Sequence, residues 1–512
     1  MKKLVNYRPI LFFSIALIVG GYAFASAIFH EYVYIIIGSL VLLTIGVGVY
    51  FFIKSKDHKI LTRILSLGVL PFVVGGIITS SMVTKKLNAF KDCGKYYVVA
   101  TVASGGVLNG EQSGTLTDVE IRPVSDLDRV IKLDGEYEVK PFQHQEEKNL
   151  YVGDRIEFIG TYAYYYETSF EDSPLNSGID NGVFILNSDY EIVSQGSGVK
   201  YTILKWSRDT IYNNMNKREA DIAYSMLFGD KSFMDQSLKD YYGISGVAHV
   251  LAVSGLHVGF LIMIIGWALS KIIKNKWVYF ITVVSILLGY AYICNWTPSI
   301  IRAISMFGVS AIAVQFFRQN DGLNALAVAS LINFAFMPLD IFNIGFLLSY
   351  SVVFSIFAIS PILNQIIGEK MPKKVASGLS LSVSAWLGSI PIIIFYFKYI
   401  SVYAILLNLI VIPFVAVLFV VLVVCMILGV VPAVASFFIA IPEFLIRCLN
   451  FLVEGVGSLS TSMITSSISY PILLFGILAL IISGDYVFIK RKPMLTAVLA
   501  FGFIGFMTIY NF

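Results

Sequence analysis

The sequence predicts a polytopic α-helical membrane protein, with about 13 transmembrane helices and one inserted extracellular domain, a small OB-like β-barrel. Three observations predict it. The 512-residue chain is 57% AVILMFWYC, and 40 glycines bring the apolar share to about 65%, against roughly 45–50% in soluble globular proteins. Charged residues are 14% against roughly 25%, which excludes a soluble enzyme, a disordered chain and a coiled coil. The charges are also unevenly placed. Residues 85–200 hold 30 of the 70 charged groups at net −8, while the other 396 residues carry net +12. An acidic soluble insertion in a membrane protein with basic loops accounts for that split.

The elements follow in chain order. Apolar runs near 9–28, 32–53 and 64–83 approach or exceed the ~20 residues that cross ~30 Å of hydrocarbon. They make 1–84 a segment of three transmembrane helices. The first run follows Met1-Lys2-Lys3 as a signal peptide would, but lacks a clear small-x-small cleavage site and reads as a retained helix. Within 85–200, the stretches Tyr96–Ala103, Thr115–Ile121, Glu136–Pro141 and Arg155–Tyr165 are rich in Val, Ile, Thr and Tyr. Turn residues such as Asn109-Gly110 and Gly153-Asp154 bound them. Several short strands in about 110 residues suit a small barrel such as an OB-fold.

Ten further spans are expected near 250–270, 276–294, 300–317, 323–337, 341–362, 377–397, 401–427, 430–449, 471–487 and 493–510. They divide into a membrane domain over 201–487 and a last helix within 488–512. The Ser/Thr-rich stretch 451–469 stays on the outer face without crossing. Lys2, Lys3 and Arg8, then Lys54, Lys56, Lys59 and Arg63, then Lys271, Lys274 and Lys276 mark cytoplasmic loops. The N-terminus is therefore expected inside, residues 85–200 outside, and the location is the cytoplasmic membrane. The four cysteines are scattered, so neither a disulfide framework nor a CxxC zinc site is expected. No cofactor is predicted.

Residues 226–260 mix polar and apolar groups as no plain span does. His249 and His257, eight residues apart, would share a broad face of one helix, with Ser254 one turn before His257. Three readings stay open: interior histidines bonded to backbone, histidines lining a hydrated pathway for a polar substrate, or an intramembrane hydrolase built on Ser254 and His257. The last needs a third, orienting group, and Asp230 and Asp240 are the nearby carboxylates. A metal site needs three ligands in reach, and with five histidines in the chain none is expected. Arg302 is a cation near the outer end of its span, lining the pathway, ion-paired or snorkelling. Asn408, beside Pro413, reads as satisfying broken backbone where a helix unwinds. Glu443 and Arg447, at i,i+4, read as a structural pair.

Leu251-Ala252-Val253-Ser254-Gly255-Leu256-His257-Val258, preceded by Gly246 and His249, resembles the signature of ComEC-type competence proteins. Gly229-Asp230-Lys231 resembles that family's upstream element. Pro298-Ser299 with Arg302-Ala303 and Met306 resembles a second, and Gly345-Phe346-Leu347-Leu348-Ser349-Tyr350 a third. Pro391, Ser401, Asn408 and Pro413 resemble the closing pattern. The resemblance spans about 205–485 and implies an inner-membrane channel for single-stranded DNA in natural transformation. It implies a pathway lined by His249, Ser254, His257, Arg302, Asp230, Lys231 and Asn408, with Gly246, Gly255, Pro298, Gly345, Ser349 and Pro413 as motif positions. A small-molecule or lipid transporter on the same fold is the alternative.

Many members of that family carry a metallo-β-lactamase-like domain. Here the chain ends two residues after Tyr510 and has no HxHxDH motif, so two-metal chemistry is not expected of this polypeptide. There is no P-loop either. The expected partners are therefore single-stranded DNA, the lipid bilayer, and a separate DNA receptor, nuclease and cytoplasmic ATP-dependent motor. Tyr162, Tyr164, Tyr165 and Tyr166 could stack bases on the outer domain, or be half-buried sheet residues, and net −8 opposes strand binding there.

Overall fold

The computed structural model describes residues 9–29, 68, 70–87, 92–104, 114–133, 135–140, 151–164, 182–188, 190–231, 233–317, 321–368, 371–430, 432–459 and 463–465. The spans expected near 32–53, 471–487 and 493–510, and Tyr165 and Tyr166, lie outside the described residues.

Alternation of apolar residues folds the insertion into a barrel. Its strands are β1 (Gly94–Ser104), β2 (Gly114–Pro123), β3 (Ile131–Leu133), β4 (Tyr137–Lys140), β5 (Arg155–Tyr164), β6 (Gly182–Leu186) and β7 (Glu191–Ser194). Five of them close a ring in the order β1-β2-β4-β6-β5, with β5 returning to β1. Its pairings are antiparallel except β4 with β6. β3 pairs with β2 and β7 with β5 outside the ring. Register shifts in β1, between Val99 and Thr101 and between Val102 and Ser104, add the local twist that closure demands. Every second residue of β1 points inward, so Val98, Ala100 and Val102 are buried. Tyr162 is buried too. Its ring lies 5.0 Å from Phe184 in the barrel core, so it is no stacking platform for bases. Of the expected strands, the structure places four where alternation put them. It adds β3, β6 and β7, whose three to five residues are too short to show a period.

Two apolar helices precede the barrel, α1 (Pro9–Phe29) and α2 (Leu70–Leu87). They cross so closely that a Cβ on Gly20 would strike the carbonyl oxygen of Phe72, and one on Gly75 that of Leu17. Such small-residue seams substitute for hydrophobic driving force within lipid. Leu17 of α1 and Val83 of α2 then pack with Leu326, Phe346 and Tyr350 further along the chain.

After the barrel come α3 (Val199–Tyr212), α4 (Lys217–Phe228), α5 (Gln236–Ile244) and a 3₁₀ turn (Ala248–Leu251). The membrane domain continues with α6 (Gly255–Ile272), α7 (Lys276–Ile293), α8 (Pro298–Gln315), α9 (Gly322–Phe336), α10 (Ile344–Gly368), α11 (Lys373–Phe397), α12 (Ala404–Leu428) and α13 (Pro432–Gly457). Each of the eight expected spans from 250–270 to 430–449 has its helix. Among the described residues six, α6, α7, α8, α10, α11 and α12, are long and apolar enough to cross a membrane. At 15 residues, α9 is about 22 Å long.

Tyr151 ties the barrel to α3. Its hydroxyl donates to Asp209 at 2.8 Å, and the Arg208 guanidinium covers its ring. Packing of α10 on α11 uses a polar seam, in which Ser351 donates to the Gly388 carbonyl at 2.7 Å and Ser355 to that of Ser384 at 2.5 Å. The expected pair of Glu443 and Arg447 forms at 2.6 Å on α13. It belongs to a wider set, since Arg447 also meets Glu219, and Asn216 donates to Glu443. These contacts fasten α13 to α4. The stretch after α13 returns as β9 (Met463–Thr465), paired with β8 (Tyr399–Ser401).

Candidate functional site

The signature stretch does not form one long helix. His249 lies in the 3₁₀ turn, Ala252 is extended, and α6 begins only at Gly255 with Ser254 as its N-cap. The shared helical face expected for His249 and His257 therefore does not exist. The reason is local chemistry: a serine followed three residues later by an acceptor side chain starts a helix rather than continuing one. Here histidine fills the place usually taken by Glu. The Ser254 hydroxyl accepts from the His257 N–H at 3.5 Å, and His257 Nδ1 accepts from the Ser254 N–H at 3.1 Å. Such caps are worth about 1 kcal/mol.

Through its bond to the Ser254 N–H, Nδ1 of His257 is engaged at the start of α6. Nε2 is buried and has no hydrogen-bond partner among the described residues. The ring stacks on Phe419 of α12, with centroids 4.6 Å apart. A nucleophile's base would need its second nitrogen held by an orienting acceptor. The Ser254 hydroxyl also lies 3.3 Å from His257 Nδ1, and the reciprocal bonds to the two backbone N–H groups give the pair the arrangement of a cap.

Arg302, on the second turn of α8, is buried at 8% exposure. Pro298 opens that helix at its first position, where the missing N–H costs nothing. The guanidinium donates through Nη1 to the Ser349 carbonyl of α10. Its Nη2 lies against Gly255, and a Cβ there would collide with it. Ser299, one residue into the same helix, donates to the Ser349 hydroxyl at 3.0 Å. Gly345, at the start of α10, donates its N–H to Asn343 Oδ1 at 2.8 Å and so shapes that helix's entry. Among the described residues Arg302 forms no ion pair. Three sequence elements, with Gly255 and Ser349 94 positions apart, thus meet around one cation.

The neighbouring elements bring more charge. Gly229 caps α4 in the left-handed region at φ 81°, which turns the chain so that Asp230 and Lys231 follow. His249 is exposed in the 3₁₀ turn. Desolvation by the surrounding protein, and then the charge of Lys231, push its imidazole down to about 4. Burial lowers Lys231 as well, reinforced by Lys239. Gly246, at φ 78°, seats its turn against Ser401 and Ala404, so the closing pattern's serine also reaches the signature.

Asn408 and Pro413 are not brought to this cluster by any hydrogen bond among the described residues. The helix does not unwind beside them: α12 runs unbroken from Ala404 to Leu428, with Pro413 on its exposed side. Asn408 Oδ1 is buried without a hydrogen-bond partner among the described residues. Sequence reasoning missed Phe419, one of 39 phenylalanines with no local signal. No group of three or more His, Cys, Asp or Glu able to hold a metal occurs among the described residues.

Comparison with known proteins places this geometry. ComE operon protein 3 of Bacillus subtilis is 26% identical over 294 residues, covering 55% of this chain and 36% of that protein. An uncharacterized protein of Aquifex aeolicus is 28% identical over 173 residues, 34% of this chain and 39% of that protein. Recombination protein 2 of Haemophilus influenzae is 30% identical over 104 residues, 19% of this chain and 13% of that protein. The chain thus spans well under half the length of these relatives. No solved structure matches it. The family model described as competence protein matches residues 226–491, which include the cap at Ser254, the Arg302 cluster and the turn at Gly246. With more than half of the sequence inside that match, the chain belongs to the competence protein family.

Proposed function

We propose that the protein is a cytoplasmic-membrane channel that passes single-stranded DNA into the cell during natural transformation. The observation that supports this reading is the convergence of the signature, Pro298–Met306 and Gly345–Tyr350 on a buried arginine that no carboxylate neutralises among the described residues. A buried arginine costs about 2.5–3.5 kcal/mol on insertion scales unless water or a partner reaches it. A hydrated conduit for a polyanion supplies both. His249, Lys231 and Asp230 are further polar groups of that conduit, with Ser254 and His257 at its turn.

The same reading carries the finer assignments. Thirteen spans put the N-terminus inside and residues 85–200 outside. The ring order β1-β2-β4-β6-β5, with its single parallel pair, supports an OB-like barrel at the mouth. The chain is a conduit rather than an enzyme, and a separate receptor, nuclease and cytoplasmic ATP-dependent motor serve it. Lipid surrounds the helices.

Deleting the gene tests the function: transformation by chromosomal DNA is expected to be lost, and an unchanged frequency contradicts the proposal. Orientation has its own test. With native cysteines removed, a cysteine at Ser125 is expected to react with an impermeant maleimide in intact cells, and one at Asn275 only after lysis. The reverse pattern means an inverted topology.

A further inference from the structure

We infer that the amino end of α6, together with Arg302 and His257, forms a binding site for one phosphodiester group. The inference rests on the DNA-conduit reading and names the contact within it. A helix of 18 residues presents roughly half a positive charge at its amino end. Arg302 Nη2 is packed against Gly255, the first residue of that helix. Arg302 itself lies in the second turn of α8, so the amino ends of two helices and a buried guanidinium meet. Placing like charges together in a protein interior is costly without an anion.

Hydrogen bonding leads to the same ligand independently. The cap satisfies the His257 N–H, while the N–H groups of Gly255 and Leu256 have no hydrogen-bond acceptor among the described residues. His257, at 1% exposure, is folded back over the helix end by its bond to the Ser254 N–H, and its Nε2 is buried without a hydrogen-bond partner among the described residues. Arg302 gives Nη1 to Ser349 and keeps Nη2 toward Gly255. The arrangement is thus rich in donors and short of acceptors. Its complement is an anion with at least two acceptor oxygens, and a phosphodiester has two non-bridging ones. Gly255 is required because any side chain there would displace the guanidinium.

Phosphodiesters occur in nucleic acids and in phospholipid headgroups, and the experiment separates them. Purified full-length protein in phosphatidylcholine nanodiscs is titrated with a short fluorescent oligo-dT over a salt series. Arg302→Gln and Gly255→Ala are each expected to weaken binding about tenfold. Each should also reduce the slope of log affinity against log salt by about 0.7, the value for one single-strand phosphate contact. Unchanged affinity and slope in both variants overturn the site while leaving the conduit reading standing. Wild-type protein that binds no oligonucleotide, together with normal transformation in the deletion strain, overturns both.

Stability gives a readout that a structural arginine would not. Without ligand, Arg302→Met is expected to melt no lower than wild type, because an uncompensated charge has been removed. A clear fall in melting temperature means that the guanidinium holds the fold together and overturns the inference. So does phosphatidylglycerol that raises the melting temperature in an Arg302-dependent way while blocking oligo-dT, since the occupant is then lipid.

Discussion

Arg302→Ala is expected to cut DNA uptake about a hundredfold, equivalent to ~2.7 kcal/mol, with the protein still inserted at normal level. The residue has two attributes that rarely coincide: it is buried, and among the described residues it meets a carbonyl rather than a carboxylate. Its removal therefore takes away a charge without breaking an ion pair. Arg302→Lys is expected to retain partial uptake, because the positive charge persists although the fork between Ser349 and Gly255 is lost. His257→Ala should impair uptake less than Arg302→Ala, and Ser254→Ala less again, since it removes one cap bond. The measurement is internalised label per membrane-inserted protein. Wild-type uptake by Arg302→Ala, or a loss that follows protein level alone, returns the residue to a structural role.

Gly246→Val is expected to do the largest damage to folding. Its φ of 78° is the left-handed region, which costs a β-branched residue about 1–2 kcal/mol or more. An added Cβ would also lie 2.5 Å from the Ala404 Cβ and 2.9 Å from the Ser401 hydroxyl. Overpacking of that kind adds roughly 1–3 kcal/mol. The turn joins α5 to the signature, so its loss unseats Val247, Val250 and Leu251 from the buried core they share with α4 and α5. Detergent-extracted Gly246→Val should run as aggregate in size-exclusion chromatography. Pairing Gly246→Ala with Ala404→Gly should recover part of the deficit through removal of the clash, but not the strain in φ. A monodisperse Gly246→Val protein with wild-type uptake would show that the turn is not needed.

What the residues disclosed in advance differs by element, for physical reasons. The membrane helices were legible because an apolar run of twenty residues has few alternatives. So were β1, β2, β4 and β5, whose alternation matches a sheet with one buried face. β3 and β7 were not, since three or four residues show no period. The start of α6 was misplaced because Ala252 and Val253 look like span, although Ser-x-x-His carries the capping pattern that stops them from joining the helix. Asn408 and Pro413 suggested a break that α12 does not make. Proline in a helix removes one hydrogen bond, and lipid-facing helices absorb that loss without unwinding. Contacts between distant elements, such as Arg302 with Ser349 or His257 with Phe419, have no local signature. They were accessible only through the resemblance, which groups the motifs without saying how they touch.

The central claim is that this chain is the passage for the strand itself. The direct measurement is DNase-resistant labelled DNA in cells with the gene deleted, complemented by wild-type protein or by Arg302→Ala. The account predicts that internal label disappears on deletion while surface-bound DNA remains. Wild-type protein should restore it, and Arg302→Ala should not. Internal label that persists in the deletion strain would contradict the claim.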